Sequence, residues 1–139
     1  MFRKILVPLD MTFKHRRAID TAAELARLSG GEVVLLHVIE LLHGMPREEE
    51  KEFYDRLETA AQVHLEKHLI GLKEHGILCR KELLFGVRAA EVLRHARSLE
   101  ADLIVLTAPR IDPDHPEDGW GSLSFKLGIF APCPVLLVK

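Results

Sequence analysis

Several short stretches of this chain are apolar at nearly every position instead of every second one, and that pattern admits few folds. Ile5-Leu6-Val7-Pro8-Leu9, Val33-Val34-Leu35-Leu36-His37-Val38-Ile39, Leu103-Ile104-Val105-Leu106 and Val135-Leu136-Leu137-Val138 are short and rich in branched residues, as buried strands are. A strand with one wet face alternates apolar and polar residues, so an unbroken apolar strand needs cover on both faces. A weaker run from Cys79 to Phe85 closes at Gly86 and completes a set of five.

The segments between these runs carry helical periodicity. Lys14 to Ser29 repeats Ala18, Ala22, Leu25 and Leu28 at three- and four-residue steps, with Ile19 and Ala26 beside them, and stops at Gly30-Gly31. A long helix is predicted from about Arg47 to His75, opened by Pro46 and the acidic run Glu48-Glu49-Glu50, with Tyr54, Leu57, Ala61, Leu65 and Leu72 as its apolar stripe. Ala89 to Leu99 and Ser122 to Phe130 supply two more. Strands and helices in alternation predict an α/β fold, a doubly wound five-stranded parallel sheet with four helices. Such sheets bind ligands beyond the carboxyl ends of their strands, where the winding reverses.

At 139 residues, 47% of them apolar, the chain fits a single domain over 1–139. A net charge of −2 lacks the cationic excess that a nucleic-acid footprint needs. Cys79 and Cys133 stand far apart, with no second cysteine near either to make a redox or zinc motif, so a reducing cytoplasm is the expected compartment. The first apolar run is too short for a signal peptide. The longest, Gly128 to Val138, is about half a membrane span and carries Pro132 and Pro134, so no membrane insertion is expected.

The strand ends hold the candidate site. Pro8-Leu9-Asp10-Met11-Thr12 places a carboxylate and a hydroxyl after the first strand, where Asp10 can accept from a ribose hydroxyl, and Asp10 or Thr12 can cap the first helix. Thr107-Ala108-Pro109-Arg110 follows the fourth strand, and Gly121-Ser122 with Ser124 opens the last helix. Free amide groups there suit an anion, and Ser122 suits a cap equally well.

Lys4 to Asp10, Leu35-Leu36-His37-Val38, Ala101 to Val105, Gly121-Ser122 and Ala131 to Val138 together resemble the universal stress protein family, in order and over the whole chain. The resemblance implies a cytoplasmic protein of strand order 3-2-1-4-5, usually a homodimer joined through the last strand, with ATP bound in one branch. Pro8, Leu9 and Asp10 match positions that line base and ribose in nucleotide-binding members, and Val38 matches the one whose backbone reads adenine. The phosphate motif of those members, Gly-x2-Gly-x9-Gly followed by Ser or Thr, falls here on Ala108, Ile111, Gly121 and Ser122, with Ser124 where a second hydroxyl often stands.

Two of the three glycines are therefore missing. Ala108 adds a methyl group near the phosphate path, and branched Ile111 is poor where close backbone contact is required. Asp112, Asp114, Glu117 and Asp118 in the intervening loop are expected to repel a triphosphate. The expected site is good for adenosine and poor for a chain of phosphates. ATP or AMP is the only cofactor the resemblance offers, and Trp120 is expected to plug the emptied phosphate region.

The expected function is a non-enzymatic, homodimeric stress-response or regulatory protein with weak or absent ATP binding, acting on a protein partner that the sequence does not name. The alternative is an ATP- or AMP-binding regulator or slow ATPase. A nucleotide-cleaving enzyme would need a Ser-Gly-Gly-x-Asp-Ser type of loop where Asp10-Met11-Thr12-Phe13 stands, and no base placed to activate water is evident. His64, His68 and His75 share one side of the second helix, but no carboxylate or cysteine completes a metal shell.

Overall fold

The computed structural model describes residues 1–42 and 48–139. Its elements run β1 Lys4–Pro8, α1 Arg16–Ser29, β2 Glu32–Glu40, α2 Lys51–Glu74, β3 Leu78–Gly86, α3 Arg88–Leu99, β4 Leu103–Thr107, a 3₁₀ turn Pro116–Gly119, α4 Leu123–Phe130 and β5 Val135–Val138. The strands form one parallel sheet in the order β3-β2-β1-β4-β5. Pro46 and Arg47, the expected opening of the second helix, lie outside the described residues.

Strand pleating explains the unbroken apolar runs. Ile5, Val7, Val33, Leu35, Leu103 and Val105 point to the face covered by α1 and α2, where they pack with Ile19, Ala22, Leu65 and Leu69. Leu6, Val34, Leu36, Ile104 and Leu106 point the other way and pack with Val92 and Ala96 of α3 and Leu127 of α4. Each strand thus feeds two cores. Leu57, expected in the α2 stripe, is 38% exposed, while Tyr54, Ala61, Leu65, Leu69 and Leu72 are buried.

Gly30 and Gly31 divide the work of ending α1. Gly30 takes a left-handed φ of 71° as the cap. Gly31 serves close packing, because a Cβ there would sit 2.6 Å from the Arg3 backbone, beside which Glu32 N donates to Arg3 O at 2.9 Å.

The sheet opens at the point where its winding reverses. β1 and β4 pair only at Ile5↔Leu103 and Leu6↔Ile104, and Asp102 locks the near end by accepting from the backbone amides of Arg3 and Lys4. Beyond Leu6 the two strands part. Pro8 and Thr107 therefore end on either side of a cleft.

Candidate functional site

A cavity of about 150 Å³ fills that cleft. Pro8, Leu9 and Asp10 border it from the exit of β1, Leu36 and Val38 from β2, Thr107 and Ala108 from the exit of β4, and Ser122 and Ser124 from the start of α4. Of the residues matched to nucleotide-binding positions, Ile111 and Gly121 stay outside the lining. A Cβ on Gly121 would meet no protein atom within 4 Å.

Asp10 is the best-held polar group. Its Oδ1 accepts from Thr12 N at 2.8 Å, from Thr12 Oγ1 at 2.5 Å and from His15 Nε2 at 2.8 Å, and Lys14 Nζ lies 3.5 Å from its Oδ2. Burial pushes the carboxyl upward, but the Thr12 hydroxyl and amide and the His15 ring outweigh it and hold the group well below the usual carboxylate range. The helix-cap role expected for Asp10 or Thr12 is not what the structure contains. His15 occupies the N-cap of α1 without a side-chain cap bond, and Asp10 instead closes its own turn through Thr12. Ser122 does cap its helix, accepting from Phe125 N at 3.1 Å.

Sequence reasoning missed Lys14, His15 and Arg88 and gave Thr107 no role, yet all four border the cavity. His15 is 7% exposed and bridges the two sides of the cleft, with Nδ1 2.8 Å from Thr107 Oγ1. A signal for two of them was present. His15 lies four residues before Ile19 and extends the buried stripe of Ile19, Ala22 and Ala26, and Arg88 stands likewise to Val92 and Ala96.

Three further expectations change. The cavity is bordered by Lys14 and Arg88, and Asp112, Asp114, Glu117 and Asp118 do not line it, so the expected repulsion is not centred there. Ile111 instead folds back on its own loop, its Cγ1 lying 3.1 Å from where a Cβ on Gly119 would be. Trp120 is 61% exposed and outside the lining, so it plugs nothing.

His37, His64 and His68 tie elements together or pack on their neighbours, and none of the three lines the cavity. His37 donates from Nδ1 to Leu9 O at 2.7 Å, which ties β2 to the exit of β1. His64 and His68 meet edge to face at 4.9 Å, with Phe13 against His64 at 5.2 Å. Among the described residues no group of three His, Cys, Asp or Glu is placed to hold a metal. Burial pushes His37, His68 and His95 below the ordinary histidine value of 6.5, although the Leu9 contact partly opposes this at His37. Each is depressed on folding, so its contribution is complete above pH 6.5 and is lost as pH falls, because the unfolded chain takes up protons first. The melting temperature is therefore expected to drop between pH 7.5 and pH 5, and a flat profile would show these rings to be better solvated.

The fold and site define a class of doubly wound α/β protein with a small, polar-floored cleft at the reversal of its winding. The Universal stress protein family model matches residues 1–139, and the chain belongs to that family. It is 30% identical over 150 residues to the universal stress protein YxiE of Bacillus subtilis, covering all of both chains. Its fold matches that of universal stress protein UspA from Lactobacillus plantarum with a TM-score of 0.82 at 22% identity, over 99% of this chain and 98% of that one. The universal stress protein from Archaeoglobus fulgidus in complex with dAMP matches with a TM-score of 0.74 at 21% identity, over the full length of both. No helix among the described residues is long and apolar enough to cross a membrane.

Proposed function

We propose that this chain is a homodimeric regulatory protein that takes an adenine nucleotide of monophosphate size into the cleft and responds to it without turning it over. The cleft itself carries the reading. Its walls are apolar at Leu36, Val38 and Leu106, its floor holds an ionised Asp10, and Lys14 and Arg88 stand at its border. Asp10 Oδ2, whose contact is the 3.5 Å ion pair with Lys14, is the oxygen with room to accept from a ribose hydroxyl, and Lys14 and Arg88 supply positive charge for a phosphate. At about 150 Å³ the cavity is smaller than the roughly 300–1,000 Å³ usual for small-molecule sites, which favours the smallest adenine nucleotide over longer ones. The dAMP complex of the Archaeoglobus fulgidus relative supports the same ligand class. Longer phosphate chains fit poorly, because Ile111 packs onto Gly119 in the loop where the family's phosphate glycines belong.

Dimerisation follows from how the two sheet edges differ. β3 carries Arg80, Lys81 and Glu82, and such charges keep an edge strand from pairing with another chain. β5 is Val135-Leu136-Leu137-Val138, and Leu136 and Leu137 are 38% and 40% exposed. An uncharged, apolar edge of this kind suits a second copy.

Ala108→Phe tests the ligand assignment by placing a phenyl ring in the cavity. Equilibrium dialysis with labelled AMP is expected to show at least tenfold weaker binding by the folded variant. Unchanged AMP affinity would move the site elsewhere.

A further inference from the structure

Asp10, His15 and Thr107 form a polar chain that ends on a hydroxyl at the cavity wall. The carboxylate is ionised, so the His15 nitrogen 2.8 Å from it, Nε2, is the one that carries a proton to donate. Nδ1 is then the lone-pair nitrogen, and the Thr107 hydroxyl, 2.8 Å away, donates to it. This tautomer follows the shorter contact, since Asp10 N, 3.4 Å from the same Nε2, would need that nitrogen as an acceptor. A hydroxyl that donates to an imidazole, itself oriented by a carboxylate, is the arrangement by which hydroxyl nucleophiles are activated.

The surroundings suit one kind of reaction. Leu36, Val92 and Leu106 give the cavity apolar walls with room for a small acyl group. Of the first amides of α4, Phe125 N is taken by Ser122 Oγ, while Leu123 and Ser124, whose amides have no intrahelical acceptor, border the same cavity and are the candidate donors for an oxyanion.

We infer that Thr107 is an acyl-accepting nucleophile for small activated esters, with His15 as its base and Asp10 as the positioning residue. Thr107 Oγ1 attacks the ester carbonyl carbon while its proton passes to His15 Nδ1. The tetrahedral oxyanion collapses, the bond to the leaving alkoxide or phenolate breaks, and that oxygen leaves with the proton from Nδ1 or as the free anion. The product is an O-acyl Thr107, which water hydrolyses with His15 again taking the proton. The inference does not depend on nucleotide binding, and its test contains no nucleotide.

The probe is 4-nitrophenyl acetate, followed by nitrophenolate release and by mass mapping of the acid-quenched protein. The wild type is expected to release a burst equal to one equivalent per chain and to carry acetyl on Thr107. Thr107→Val and His15→Gln are expected to slow acylation on the order of a hundredfold or more, while Thr107→Ser keeps it. Asp10→Asn is expected to slow the burst and shift its pH profile without lowering its final amplitude, which a merely structural role would not do. Wild-type rates in folded Thr107→Val, or acetyl mapped to lysines instead, would overturn the assignment. If the valine and glutamine variants do not fold, Thr107→Ser decides: no acetyl at that position sinks the proposal.

Discussion

Leu137→Asp is expected to convert a dimer at micromolar concentration into a monomer, read by light scattering coupled to size exclusion. Leu137 pairs with Leu106 in register on the one side of β5 that has a partner strand, and its other side is an open edge. A second copy across a two-fold axis would bring two aspartates into an apolar contact together, each losing water without gaining a partner. A hundredfold weaker association, equivalent to about 3 kcal/mol, is the expected minimum. A variant that remains dimeric would place the interface away from β5.

Gly31→Ala carries the largest expected cost to folding. The added methyl would collide with Arg3 Cα and Arg3 O at 2.6 Å, and backbone atoms cannot swing aside as a side chain can. Relief requires the start of β1 to move, which strains both the Glu32 N to Arg3 O hydrogen bond and the Asp102 carboxylate that accepts from Arg3 and Lys4 amides. Overpacking of this kind costs about 3 kcal/mol, on the order of 10 °C in melting temperature for a chain of this size. Gly30→Ala should be milder, because nothing lies within 4 Å and only the left-handed φ opposes it. Urea melts of both variants check the ranking, and equal losses would contradict it.

The same two glycines separate what the sequence carries from what only the fold creates. Gly30-Gly31 was legible as a helix stop, but that Gly31 serves packing against Arg3 was not, since the two meet only once β1 and β2 pair. The strands were legible because Ile5 to Leu9, Val33 to Ile39 and Leu103 to Leu106 are buried on both faces, a demand that leaves few polar residues. β3 was the weakest to read because it lies at the sheet edge, where Arg80 and Glu82 interrupt the apolar pattern.

The cleft was half legible for a related reason. Pro8, Leu9, Asp10 and Val38 stand at strand ends, and strand ends are where this fold gathers ligands. Lys14, His15 and Arg88 come from the segments that start helices, and no spacing in sequence relates them to Thr107. Asp112, Asp114, Glu117 and Asp118, expected to repel a triphosphate, do not line the cavity. The lining instead places Lys14 and Arg88 there, so the case against a triphosphate now rests on the closed packing of Ile111 on Gly119 and on the size of the cavity.

Calorimetric titration of the purified wild-type protein with AMP and with ATP, in the same buffer and salt, tests the central assignment most directly. One AMP bound per chain, at least tenfold tighter than ATP, is the result expected of this cleft. No heat with AMP, or ATP bound more tightly than AMP, would contradict it.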